Sequence, residues 1–272
     1  MEPTQTKNPI TIPIAIVIAG ILVAGAIFLK GNSSEDVRTP PAPKVAMPPL
    51  PSLDTITLKP IDEKRDHIRG NPNADIVFVE FSDTECPFCK RFHATMQQIL
   101  AEFGKSGKVA WVYRQFPIVQ LHSKAPKESE ALECAAELGG NIKFWEYIDR
   151  VFEITPSNDG LDPSELPRIA SEIGLNEGLF NDCLSSGRTK QLVESDYNDG
   201  VAAGAEGTPH SVLVLKSPIG EADTKALLEL MEQFRDSRGE LPINFSEDGL
   251  RFSLTGALPY QILKSTIDIL LK

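Results

Sequence analysis

Val79-Glu80-Phe81-Ser82-Asp83-Thr84-Glu85-Cys86-Pro87-Phe88-Cys89-Lys90-Arg91-Phe92 is the stretch that decides the fold of this chain. Just before it, Ile76-Val77-Phe78-Val79-Glu80-Phe81 is a β-branched and aromatic run, which suits a strand buried on both faces. A polar turn at 82–85 leads into Cys86. Pro87 stands where a first helical residue belongs, because its missing N–H has no partner to lose there. Phe88, Phe92, Met96, Ile99 and Phe103 then recur at helical spacing, and Gly104 is the expected stop. Residues 109–116 (Val-Ala-Trp-Val-Tyr-Arg-Gln-Phe) read as a second strand. Strand, helix, strand is the βαβ unit of a parallel pair.

Two cysteines three residues apart at a helix start suit thiol–disulfide exchange. The first sits at the cap, where free N–H groups and the helix dipole stabilise an exposed thiolate. The second lies one turn in and less exposed, close enough to close a disulfide. Lys90, Arg91 and His93 add positive potential if they face the sulfur. Cys86, Cys89 and His93 also have the spacing of three zinc ligands, but a closed site needs a fourth and no second Cys-x-x-Cys exists. The strand before the motif and the proline inside it favour redox chemistry, with no metal and no cofactor.

Further along, 123–205 is predicted to be helical almost throughout. Gly207-Thr208-Pro209-His210 precedes another strand at 211–215. Residues 250–254 alternate like a half-exposed strand, and a last helix is expected over 260–271. The stretch 217–249 between them is too long for a hairpin turn. Leu227, Leu228, Met231 and Phe234 mark an amphipathic helix in it, expected to pack on the domain.

Toward the N-terminus, no charged residue lies between Lys7 and Lys30, and 10–29 is almost wholly apolar or small. At roughly 1.5 Å per residue, that run spans a hydrocarbon core of about 30 Å. A membrane anchor over 1–30 is the favoured reading. A cleaved signal is its rival, since Ala24-Gly25-Ala26 has the small-x-small form of a cleavage site. Residues 31–53 form a proline-rich, extended linker. The soluble remainder, 54–272, is expected as one domain. A net charge of −11 over 272 residues argues against nucleic acid, whose phosphates need a basic surface.

The segment from Val79 closely resembles the active-site segment of DsbA-type thioredoxin-fold oxidoreductases. The similarity continues in order through Val112-Tyr113-Arg114-Gln115-Phe116-Pro117, Lys143-Phe144-Trp145-Glu146-Tyr147, Gly207-Thr208-Pro209 and Thr255-Gly256-Ala257-Leu258-Pro259-Tyr260. It covers about residue 58 to the end, except 217–249. It implies an α/β thioredoxin fold with a helical insertion, here preceded by one N-terminal transmembrane helix. It also implies roles. Cys86 and Cys89 would be the redox pair, Pro209 the cis-proline facing them, and Glu80 a buried acid exchanging a proton with Cys89. Thr208, Pro209, Pro87, Phe88 and His210 would meet the substrate. His210 departs from the family, which more often has a small or apolar residue there; it either titrates near the sulfurs or points to solvent. Cys134 and Cys183, both in the helical insertion, would form a structural disulfide as in some relatives, or remain buried thiols.

On this reading the chain introduces disulfides into reduced exported proteins outside the cytoplasm, anchored by its N-terminal helix. A DsbB- or VKOR-like membrane partner would recycle the cysteine pair. A reductase or isomerase using the same cysteines, a redox-silent peptide-binding chaperone and a zinc-binding module are the competing readings.

Overall fold

The computed structural model describes residues 56–272. The expected anchor over 1–30 and linker over 31–53 lie outside them. Among the described residues no helix is long and apolar enough to cross a membrane.

Six strands form one mixed sheet: β1 (His67–Gly70), β2 (Ile76–Ser82), β3 (Val109–Gln115), β4 (His210–Leu215), β5 (Ile243–Phe245) and β6 (Arg251–Thr255), in the order β1-β3-β2-β4-β6-β5. The first helix, α1 (Pro87–Phe103), crosses from β2 to β3, and these two strands run parallel; all other pairings are antiparallel. Every residue of β2 and β3 is buried, as the unbroken apolar run predicts. Side chains alternate across the sheet. Ile76 and Phe78 join Trp111, Tyr113 and the buried face of α1 in one core, while Val77, Val79 and Phe81 join Val112, Phe116 and Val212 in a second. That alternation turns Glu80 toward the α1 side, opposite Tyr113 in register.

The helical insertion consists of α2 (Ala125–Ile154), α3 (Glu165–Glu172), α4 (Glu177–Ser186) and α5 (Lys190–Ala202). Gly140 breaks α2 with φ 70° and ψ −168°, a conformation only glycine adopts freely. Cys134 of α2 and Cys183 of α4 are joined by a disulfide with Cα atoms 5.8 Å apart. Of the two readings left open by the sequence, the bridge is the one the fold contains.

Local structure departs from or adds to the sequence reading in three places. Gly104 caps α1, which ends at Phe103 as expected, but it does so in a right-handed conformation; a short 3₁₀ turn follows, and Gly107 (φ 73°) is the left-handed residue. The segment His67–Gly70 pairs as an edge strand although its four residues carry no clear pattern. Residues 217–249 contain α6 (Glu221–Met231) and also β5, which pairs with β6. That pairing makes β6 an internal strand, so Phe252, Ser253 and Leu254 are all buried and the half-exposed alternation fails. Leu227 and Met231 are fully buried, so α6 packs on the domain as its apolar stripe predicts. The last helix, α7 (Tyr260–Leu270), lies beside α1 and α6.

Candidate active site

Cys86 is the N-cap of α1, with extended backbone (φ −77°, ψ 121°), and its carbonyl accepts a hydrogen bond from the Lys90 N–H at 3.1 Å. Pro87 is the first helical residue, as expected. The turn before Cys86 is held from several sides. Asp83 accepts hydrogen bonds from the Glu85 N–H (2.9 Å) and the Ile118 N–H (2.7 Å), and His122 Nδ1 lies 2.9 Å from the same carboxylate. Glu85 accepts from the Gly160 and Leu161 N–H groups at 3.1 and 3.0 Å, and its carbonyl accepts from Asn158. Residues 157–160 form a tight turn in which Ser157, Asn158 and Asp159 all have positive φ. Short polar side chains tolerate that region best. The insertion therefore grips the turn before Cys86 through Glu85.

Both sulfurs carry free thiols and lie in the protein, but unequally. Cys86 is 5 % exposed, less than the open thiolate expected, and Cys89 is fully buried. Cys86 Sγ lies 3.5 Å from the Thr208 carbonyl oxygen, across a cis Thr208–Pro209 peptide. The neighbouring Cys89 thiol, with Thr208 and the Cys89 and Phe88 backbone, outweighs burial at Cys86. The Cys86 thiol is pushed down to about 6 from an ordinary 9. Burial first, then the adjacent Cys86 sulfur and the Glu80 carboxylate, push Cys89 well upward. One sulfur ionises at neutral pH and its neighbour keeps its proton.

Glu80 is fully buried beneath the pair, as the resemblance implies. Its Oε2 accepts a hydrogen bond from Trp111 Nε1 at 2.8 Å. Burial is the largest cause that raises its carboxyl to about 7, against the opposing effect of the nearby Ser82 hydroxyl and of the Trp111 hydrogen bond. A group that titrates near neutrality beside Cys89 can give or take a proton.

Around the sulfurs, Pro87 and Phe88 are exposed, Phe88 to 53 %, while Thr208 is half-buried and Pro209 buried. His210 is 2 % exposed, so it does not point to solvent. Its Nδ1 lies 3.3 Å from Thr255 Oγ1, and burial lowers its pKa to about 4, leaving it neutral. The three basic residues after the motif do not converge on the sulfurs. Lys90 donates to the Thr155 carbonyl at 2.6 Å, and the Arg91 guanidinium lies over the Phe88 ring at 5.2 Å. His93 is buried against Trp111 and Phe152 with Nε2 2.7 Å from Asp149; burial lowers its pKa. That bond commits His93 to Asp149, which weighs against the zinc reading, and among the described residues no three His, Cys, Asp or Glu side chains converge as metal ligands.

The acids that frame the turn were missed. Glu128 of α2 is buried beside Glu85 and Thr84, and burial followed by the Glu85 carboxylate raises it to about 8. The signal available was Asp83 and Glu85, two acids directly before a motif whose first cysteine must ionise.

A family model described as thioredoxin matches residues 62–230. Among solved structures, alpha-DsbA1 of Wolbachia pipientis is similar with a TM-score of 0.56 and 20 % identity, covering 78 % of this chain and 92 % of that one. Oxidised BdbD from Bacillus subtilis is similar with a TM-score of 0.56 and 17 % identity, over 80 % and 100 % of the two chains. DsbA2 of Pseudomonas aeruginosa gives 0.50 and 22 %, over 75 % and 93 %. Sequence relatives include Na(+)/H(+) antiporter NhaA 1 of Mycolicibacterium gilvum, 33 % identical over 65 % of this chain and 28 % of that protein. The protein of the same name from Mycobacterium sp. strain KMS is 33 % identical over 69 % and 30 %. The chain thus spans less than a third of the length of these relatives.

Proposed function

Since the chain belongs to the thioredoxin family and has the fold of the DsbA-like structures, we propose that it is a thiol:disulfide oxidoreductase that oxidises exported proteins through Cys86 and Cys89. The observation that carries this reading is the unequal pair of sulfurs: Cys86 with its pKa pushed down to about 6, against the Thr208 carbonyl, and Cys89 buried and pushed up.

In the oxidised protein, a substrate thiolate attacks Cys86 Sγ. A substrate–Cys86 disulfide forms, the Cys86–Cys89 bond breaks, and Cys89 leaves with the electron pair. Because burial favours the neutral thiol, Cys89 takes a proton, for which protonated Glu80 is the nearby source. A second substrate thiolate then attacks the substrate sulfur and expels Cys86 as a thiolate. Two substrate thiols become a disulfide, and the Cys86–Cys89 pair is reduced. The Thr208 backbone beside Pro209 is suited to pair with the substrate as an added strand. Stabilising the Cys86 thiolate stabilises the reduced protein, which makes the disulfide a stronger oxidant. That favours the oxidase over a reductase or isomerase running on the same cysteines.

The Cys134–Cys183 bridge suits an oxidising compartment, so the domain acts outside the cytoplasm. The apolar run in 10–29 and the relatives named as antiporters fit anchorage to the membrane, where a DsbB- or VKOR-like partner would take the two electrons. The test is oxidation of a reduced, unfolded protein by the oxidised chain, followed as loss of thiols from that substrate and their appearance at Cys86 and Cys89. Transfer of two thiols per chain supports the proposal; unchanged substrate thiols with a folded, oxidised chain reject it.

A further inference from the structure

Glu80 is fully buried, and once a substrate covers Cys86 it must recover its proton from another side. One of its oxygens is committed. Oε2 accepts from Trp111 Nε1, and the rings of Trp145 and His93 pack on Trp111 at 4.6 and 5.0 Å, which fills the space on that side. The other oxygen, Oε1, is buried with no partner among the described residues, and the same holds for Ser82 Oγ, Tyr113 Oη and Gln115 Oε1.

These four oxygens form a row. Glu80, Tyr113 and His67 stand directly opposite one another on β2, β3 and β1, and Ser82 stands opposite Gln115. Residues paired in this way share a face of the sheet, and strands lie roughly 4.8 Å apart, so the row from Glu80 to His67 is roughly 10 Å long. Ser82 lies near both the Glu80 carboxyl and the Tyr113 hydroxyl. At the outer end Gln115 Nε2 donates to Glu133 Oε1 at 2.9 Å, and His67 Nε2 lies 2.9 Å from Glu133 Oε2. Access to solvent rises in the same direction: Glu80 and Gln115 are fully buried, while the side chains of Glu133 and His67 are 5 % and 11 % exposed. Burial opposes ionisation of Glu133, but His67 and Gln115, with Arg65, outweigh it and lower its pKa. Buried polar groups pair with protein or with ordered water, and a run of unpartnered oxygens on one face has the spacing that water bridges.

We propose that this row delivers solvent protons to Glu80: His67 takes one up, Glu133 passes it on, and the Tyr113 and Ser82 hydroxyls, bridged by water, hand it to Glu80 Oε1. Gln115 positions the Glu133 carboxylate. The inference rests on the oxidoreductase reading and deepens it. In each exchange Cys89 leaves as a thiolate and takes the Glu80 proton; one proton then enters at His67 and restores Glu80. Only S–H, O–H and N–H bonds are made and broken, and no electrons move along the row. Glu133 and His67 thus act through Glu80 and not on the sulfur.

The test measures the rate constant for reduction of the Cys86–Cys89 disulfide by a two-cysteine peptide at pH 6 and pH 8, for the wild-type chain, Glu133→Gln and Tyr113→Phe. Glu80 titrates at about 7, so at pH 6 it starts with its own proton and at pH 8 it draws one through the row. Relative to wild type at the same pH, each variant is expected to lose about tenfold at pH 8 and to stay within about twofold at pH 6. Comparison at one pH cancels the ionisation of the peptide thiols. Tyr113→Phe removes one unpartnered oxygen and leaves the ring in its packing, so it decides the matter should Glu133→Gln fail to fold. A loss of equal size at both pH values marks a structural fault and overturns the row alone, as does no loss at either. A wild-type chain that leaves the peptide reduced at both pH values overturns the oxidoreductase reading and the row with it.

Discussion

Four cysteines form two pairs in this protein, and the pairs differ in what surrounds them. Cys134 and Cys183 are fully buried between α2 and α4 and are bonded to each other. Cys86 and Cys89 sit where a strand meets a helix, with one sulfur against the Thr208 carbonyl and the other in the core above Glu80. The first pair closes a sequence separation of 49 residues and limits the unfolded chain. The second spans one helical turn and closes almost no loop, so its bond has little to contribute to stability. What distinguishes them is access and charge: a reagent can meet Cys86 beside Phe88, and its thiolate is stabilised. Neither holds for the buried bridge.

Removing either pair should therefore produce opposite losses. Cys86→Ser should lower oxidation of a reduced test protein by about 10³-fold or more, because no other accessible thiol can form the mixed disulfide. Thiol titration checks it, and the melting temperature should barely move. Cys134→Ala with Cys183→Ala should do the reverse. On loop-closure entropy it costs up to about 4 kcal/mol of stability. Denaturant unfolding reads that loss, and the remaining folded protein should keep its exchange rate.

Smaller changes act through the charges under the redox pair. Glu80 has its pKa raised to about 7 from 4.5, so its burial costs nothing below pH 4.5 and the full amount above pH 7. Glu80→Gln should therefore stabilise the protein by up to about 3 kcal/mol at pH 8 and by little at pH 4. It should also slow exchange at neutral pH, since the proton source for Cys89 is lost. Cys86 works the other way. With a folded pKa of about 6 against 9, its contribution to the reduced protein is fully present above pH 9 and is lost as pH falls through 6. Alkylation of the reduced chain should fall about tenfold per pH unit below 6 and level off above it. A midpoint near 9 would remove the difference between the two sulfurs. His210→Ala should be the mildest change, costing about 1 kcal/mol or somewhat more through the lost contact with Thr255 and the space left behind.

The strand, turn and helix that carry Cys86 and Cys89 were legible because their signals are local. A strand run, a turn, Pro87 at a helix start and a period of apolar residues in α1 all lie within 28 residues, from Ile76 to Phe103. Gly207-Thr208-Pro209 lies over a hundred residues away, and only the family resemblance tied it to the sulfurs. The edge strands were not legible: His67–Gly70 and Ile243–Phe245 are too short for a period of two to stand out, and pairing with a neighbour makes them strands. Nor were the buried acids. Glu128 looks like a surface residue of a helix until α2 is laid over the turn at Glu85, a relation set by tertiary packing. Lys90 and His93 show the same limit from the other side. Their positions in α1 suggested charge at the sulfur, yet Lys90 reaches back to Thr155 and His93 packs inward on Trp111.

The reduction potential of the Cys86–Cys89 pair tests the central claim most directly. It is measured by equilibrating the chain with glutathione buffers and counting thiols at Cys86 and Cys89 while the Cys134–Cys183 bridge stays closed. A stabilised Cys86 thiolate predicts a strongly oxidising value, near about −120 mV, whereas a value near about −270 mV would make the pair a reductant and contradict the account.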